Sequence, residues 1–370
     1  MFKDVHAYLV DKVDRGLIEV RFSCMNVYEA LPLVKAAAEP AALRLATIKQ
    51  LCGKKCLTEF SQLLKYELEP DGAARAGGVL VDNGMWHPDP GEIRIPDTLQ
   101  LLRERARNAG GNRKQRRARG AGSKAQIVGS LRELLGSTSD DQLALRAFRH
   151  PVTASAARTL RRYLYGEATR AQLQSALRES LSDLECWIRW YQLNWDQAVA
   201  GAIALREKGD ALKEMLFANI QRMQQSGREL NDIGYPEQRK KLLVNQLVKT
   251  HRSDFPDVFL GLLRQQFSME ASGNDSWASC PGILLMTKLV GEMSLQTAIL
   301  DTNIRQPRQS DLGDVLHALY APYVDIFRAD GAMTSMIAAI NPPIPTKFVG
   351  KLEELPRQIE AHPKFRVASV

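Results

Sequence analysis

The stretch SDLGDVLHALYAPYVDIFRAD, residues 310–330, decides how the chain is read. Ser310 or Asp311 suits the N-cap of a helix, and Pro322 ends it. On that helix Asp314 and His317 are three residues apart and share a face. The run VDIFR, 324–328, reads as a buried strand, and Asp330 follows its C-terminal end. In α/β sheets ligands gather at the C-terminal ends of strands. A helix carboxylate and a strand-end carboxylate are therefore expected to meet at one point. Converging carboxylates repel and are stable together only with a proton or a cation. An all-oxygen set favours Mg²⁺ or Mn²⁺, ions that acidify bound water and stabilise attack on phosphate. Asp311 is expected to cap the helix, Asp325 to orient Tyr320 or cap the strand, and His317 to steady Asp314. Arg305 and Arg308, just upstream, are candidates to contact a phosphate. No phosphate-cradling P-loop, nucleophile elbow or H-E-x-x-H pattern occurs in the sequence.

Working outward, residues 3–15 place Val5, Tyr8, Leu9 and Val13 on one helical face, and Gly16 ends that helix. LIEVRFSC, 17–24, alternates apolar and polar residues as a strand does. Asn26 can then cap a helix that carries Glu29. Residues 39–52 form a helix with Pro40 in its first turn, and 57–68 form another. Residues 70–97 turn rich in Gly, Pro and Asp, with VLVD as a short strand, and mark a domain boundary.

The 370 residues carry a net charge of +8, and one segment holds all of it. Between Arg103 and Lys124 stand nine Lys or Arg and one acid, Glu104. Its core, NAGGNRKQRRARGAGSK, has too little apolar surface to fold and reads as a flexible basic linker. Either it is a solvated connector, or Arg113, Lys114, Arg116, Arg117 and Arg119 form a phosphate-seeking arm that displaces counterions from a nucleic acid. Beyond it the pattern is helical, near 125–136, 139–149, 152–165, 169–206, 209–226, 236–250, 255–267 and 282–297. Trp187 and Trp190 share a face and are expected to pack in a core. No run approaches the ~18 apolar residues of a membrane span. Charges interrupt the first apolar stretch, MFKDVHAYLVDKVDRG, so a signal peptide is not expected. Five cysteines, with one lone C-x3-C at Cys52 and Cys56, fit thiols in a reducing cytoplasm.

The pattern S-D-x-x-D-x-x-H-A-x-Y-x-P-Y-x-D-x-F-x-x-D resembles the C-terminal acidic portion of PIN-like nuclease domains. Asp314 and Asp330 match the family's carboxylates at the start of a late helix and after the following strand. Glu29, after LIEVRFS, matches the one in the helix that follows the second strand, and residues 40–51 are similar to the next helix. The resemblance covers residues 1–68 and 285–345. It implies an α/β (mostly α) fold, with a Rossmann-like three-layer core built from both ends of the chain and interrupted by a large all-helical insertion. The segments would be 1–68 and 285–345 for the core, 69–124 for loop and basic linker, 125–284 for the helical domain and 346–370 for a tail. It further implies a metal-dependent endoribonuclease, of a toxin or defence kind, with Glu29, Asp314 and Asp330 on Mg²⁺ or Mn²⁺. RNA would be the partner, with no membrane involved. The family opens with a strand ending in Asp, whereas this sequence opens in the helix after it; Asp4 and Asp11 lie on that helix and are poor substitutes. ILDTN, 299–303, resembles the strand, but Asp301 lies only 13 residues before Asp314, too close for a parallel crossover. The competing expectation is a non-catalytic nucleic-acid-binding or protein-interaction scaffold with a degenerate site.

Overall fold

A computed structural model describes residues 2–31, 38–69, 78–87, 139, 151–193, 236–266, 276–298 and 308–368, with scattered positions from 195 to 234. The chain forms two compact units, residues 1–86 together with 199–370, and residues 87–198.

In the first unit, α1 (Phe2–Asp14) ends at Gly16, whose φ of 67° supplies the left-handed turn. Residues 17–23 then run beside β1 (Cys56–Leu57), joined to it by one parallel bridge between Phe22 and Cys56. The expected strand is thus reduced to a single paired residue. Helix α2 (Cys24–Ala30) starts where the Ser23 N–H donates to Asn26 Oδ1 at 2.8 Å, half of a capping box. It buries Cys24, Met25, Val27 and Ala30. Trp86, fully buried, packs on Phe22 and Tyr28 with ring centroids 6.4 and 6.2 Å away, which fixes the strand segment to α2. Helices α3 (Ala38–Cys52) and α4 (Phe60–Leu68) follow, and β2 (Leu80–Val81) pairs antiparallel with β1.

The second unit contains α5 (Ala154–Leu164), α6 (Arg170–Ser182) and α7 (Leu184–Leu193). Ala156, Leu160, Leu173 and Leu177 form its core between α5 and α6. The long helix expected from residue 169 breaks at Asp183, whose Oδ1 accepts from the N–H of Glu185 at 2.9 Å and starts α7. Trp187 and Trp190 meet edge to face at 5.9 Å, and the Trp187 indole N–H donates to Leu181 O.

The first unit resumes with α8 (Glu237–Gln266), α9 (Pro281–Ala298), α10 (Asp311–Ala318), β3 (Ile326–Arg328), α11 (Gly331–Ile340), β4 (Lys347–Val349), α12 (Leu355–Ala361) and α13 (Pro363–Ala368). Two expected helices, 236–250 and 255–267, are one, with Pro256 inside it. Proline removes one backbone hydrogen bond, and packing of α8 along α9 outweighs that loss. Residues 237–284, which the sequence pattern groups with a helical insertion, lie in the first unit, and the 284/285 boundary falls inside α9. Helix α9 buries Ile283, Leu285, Leu289 and Met293 among others and packs against α4, α8, α10 and α11. An apolar circumference of this kind marks a central helix. Strands β3 and β4 pair in parallel across α11, a β–α–β unit. Among the described residues the fold is mostly α, with two small two-stranded sheets. No described helix is long and apolar enough to cross a membrane.

Candidate functional site

Two buried contacts join the ends of the chain. The Tyr320 hydroxyl, at the end of α10, donates to Thr58 O at 2.9 Å. Glu67, on α4, accepts from the N–H groups of Gly282 at 2.8 Å and Ile283 at 2.6 Å, and from the Tyr323 hydroxyl. A carboxylate here satisfies the orphan donors that open α9. Burial nevertheless pushes its pKa up to about 7, against the pull of those three donors.

These joints bring α2 beside α10, and with them the candidate carboxylates. Glu29, Asp314, His317, Asp325 and Asp330 line one cavity of 790 Å³, together with residues 17–21 and 324–329. Glu29 Oε2 lies 3.0 Å from His317 Nε2. Gly313 makes this approach possible: a Cβ there would collide with Glu29 Oε1. Asp330 caps α11, with Oδ1 accepting from the Met333 N–H at 2.7 Å. Asp314 pKa is pushed up to about 6, first by burial, then by the negative charges of Asp330 and Glu29, with His317 opposing.

The remaining candidates fall into place unequally. Asp311 is buried, and its Oδ2 accepts from the Arg308 N–H at 2.8 Å, so it shapes the entry to α10. Asp325 pairs at 2.7 Å with Lys364, on α13, and does not reach Tyr320 by any hydrogen bond among the described residues. Arg308 is exposed. Arg305 and the basic group Arg113, Lys114, Arg116, Arg117 and Arg119 lie outside the described residues, as does Asp301. In the second unit, Arg158 and Arg162 of α5 are exposed while Ala156, Ala157 and Leu160 are buried.

Sequence reasoning missed Glu67 and Gly313, and it placed Asn26 at the cap of α2, where Ser23 stands, with Asn26 three residues on. Glu67 had a signal: it shares a helical face with Leu63, Leu64 and Leu68, all buried. An acid in such a stripe needs donors from elsewhere.

The donor chemistry suits a hard divalent cation, and Asp330 Oδ2 is outside the capping bond. The arrangement as it stands does not complete a cage. Among the described residues no group of three or more His, Cys, Asp or Glu side chains is set to hold a metal ion. Glu29 would have to turn from His317 toward Asp314. Comparisons with protein-family models, curated proteins and solved structures return no match for this chain.

Proposed function

We propose that the chain is a metal-dependent phosphodiesterase acting on RNA, with a Rossmann-like, PIN-like core assembled from its two ends. Glu29, Asp314 and Asp330 would hold Mg²⁺ or Mn²⁺. The observation that carries this reading is the convergence of Glu29, Asp314 on α10 and Asp330 after β3 on one cavity, where burial and the two neighbouring charges push the Asp314 pKa up. Such a cluster is relieved by a cation. A bound ion would supply a water of lowered pKa and charge stabilisation for an in-line attack on phosphate.

The chain's own residues would do the rest. His317, by pairing with Glu29 at 3.0 Å, keeps that carboxylate oriented. The capping bond from Met333 leaves Asp330 one oxygen to offer. Arg308 and the exposed arginines of α5 are cations suited to backbone phosphates. The basic segment from Arg103 to Lys124 adds a stretch of the same charge.

A scaffold role is the second reading. Its support is that Glu29 and Asp330 are each already engaged, one by His317 and one by a helix end. RNA cleavage with Mn²⁺ by the wild type and by Asp314→Asn separates the two. The nuclease reading expects cleavage by the wild type and loss of at least ~10²-fold in the variant, the scale of removing an electrostatic group. Equal cleavage by both, or none by either, leaves the scaffold.

A further inference from the structure

The charged side chains that line the 790 Å³ cavity fall into three groups. Glu29, Asp314 and Asp330, with His317, form the first. Arg21 and Glu19 form the second, and its cation is spent. Arg21 pairs with Glu19 and Asp82 and donates to Cys56 O at 3.1 Å and Val81 O at 2.9 Å. The third group is basic. Arg328 ends β3, and Lys364 of α13 is brought beside that strand by its 2.7 Å bond to Asp325. Neither of these cations serves the carboxylates. The charges that bear on Asp314 are Asp330, Glu29, His317 and Asp311, with no arginine or lysine among them. Phe327 and Ala329 pack into the core that α11 joins, so alternation along β3 turns Arg328, which is exposed, to the opposite face. Lys364 and Asp325 are 75% and 53% exposed, and an ion pair so wet contributes little. Lys364 is therefore kept near β3 without being committed there.

We propose that β3 and α13 supply the phosphate-binding wall of this cavity, with Arg328 and Lys364 each taking one phosphate of an RNA strand. The proposal rests on the phosphodiesterase reading for the kind of strand that enters. Three carboxylates balance or exceed the charge of a divalent ion, so the filled cation site carries no net positive charge. A phosphate strand needs cations from elsewhere in the cavity, and the third group provides them. Arg328 stands two residues before Asp330, whose backbone is also extended, with φ −71° and ψ 167°. At about 3.3 Å per residue their Cα atoms lie ~6.6 Å apart, close enough for one polyanion to reach both. The guanidinium is a planar fork of donors that matches two oxygens of one phosphate. Lys364 is a point charge on a flexible stem, and it exchanges Asp325 for phosphate. Such contacts position a strand without reading its bases, so this wall confers no sequence preference. Arg328 and Lys364 are positioning residues, not catalytic ones.

The test reads binding apart from cleavage. It uses the full chain in EDTA carrying Asp314→Asn, which removes one repelling charge, and each further variant is made in that background. The probe is a fluorescein-labelled oligouridylate, followed by anisotropy over a range of salt. Arg328→Ala and Lys364→Ala are each expected to weaken binding by about tenfold, the scale of one charged hydrogen bond. Each should also lower the slope of log K against log salt by about 0.7, the value per phosphate contact on a single strand. Arg328→Lys should keep the slope and lose part of the affinity. Asp325→Ala separates a binding role for Lys364 from a structural one. Freed from Asp325, a phosphate-binding Lys364 strengthens RNA binding; if the pair only holds α13 in place, Asp325→Ala weakens it as Lys364→Ala does. An oligouridylate with uncharged methylphosphonate linkages should bind all variants equally weakly. No RNA binding in the starting background, an unchanged slope in either alanine variant, weakening by Asp325→Ala, or tighter binding of polyglutamate than of RNA overturns the proposal. The two readings fail separately. Lost slopes without cleavage by the wild type in Mn²⁺ keep the wall and discard the nuclease; cleavage with unchanged slopes does the reverse.

Discussion

Two acidic places stand where the N-terminal segment meets the C-terminal one, Glu67 buried and Asp314 half-buried, and they are built in opposite ways. Glu67 meets three donors: two backbone N–H groups at the start of α9 and the Tyr323 hydroxyl. Asp314 meets two more carboxylates, and among the charges beside it His317 opposes them. Burial raises both pKa values, to about 7 and about 6. The difference lies in what surrounds them. Donors on all sides make Glu67 a structural joint, complete without a ligand. Like charges make Asp314 a place of stored repulsion, which folding tolerates and a cation would discharge.

Removing the joint should have the largest effect. Glu67→Ala strands the N–H groups of Gly282 and Ile283 and the Tyr323 hydroxyl, at a cost of about 3 kcal/mol or more, read from urea unfolding. An unchanged midpoint would mean that α4 and α9 are not joined there. Gly282→Ala attacks the same joint from the other side, since its Cβ would run into Leu319 O and Glu67. The backbone carbonyl cannot swing away, so a loss of about 1–3 kcal/mol is expected in the same assay.

At the other place the sign reverses. Asp314→Asn removes a repelled charge, so the metal-free protein should gain about 1 kcal/mol at pH 7.5, the pKa shift being discounted for solvent screening. A variant less stable than the wild type would show that Asp314 is held by donors, as Glu67 is. The smallest effect is expected from Gly313→Ala. It displaces the flexible end of Glu29, so stability should move by less than about 1 kcal/mol while affinity for Mn²⁺ drops.

The pH dependence sharpens the contrast. Both carboxyls bind their proton more tightly folded than unfolded, where 4.5 and 3.8 are the ordinary values. The native state therefore holds more protons in the window between, and the stability these groups contribute is present at low pH and lost as pH rises. For Glu67 the loss runs from about pH 4.5 to 7, and for Asp314 from about 3.8 to 6. Unfolding free energy measured across pH 4 to 8 should fall less steeply in Glu67→Gln than in the wild type. Mn²⁺ should flatten the Asp314 portion alone.

Much of the helical skeleton is legible in the sequence because it rests on local patterns. Gly16 stops α1, Pro322 closes the region after α10, and Ser310 and Asp311 mark the start of that helix. The convergence of Glu29 with Asp314 and Asp330 is legible only through the spacing of the 310–330 stretch and what it resembles. Features set by distant partners are not legible. Nothing local announces that Glu67 will cap a helix 215 residues away, or that Gly313 leaves room for Glu29. The joining of the two expected helices, 236–250 and 255–267, is of the same kind: Pro256, a local breaker, sits inside a helix that packing along α9 keeps whole.

Calorimetric titration of the metal-free chain with Mn²⁺ at pH 7.5 puts the cation site to its plainest trial. One ion per chain, with affinity falling below about pH 6 as Asp314 takes up its proton, and binding abolished in Asp314→Asn, is the expected result. No saturable binding, or equal binding by wild type and variant, would mean that Glu29, Asp314 and Asp330 share a cavity without sharing an ion.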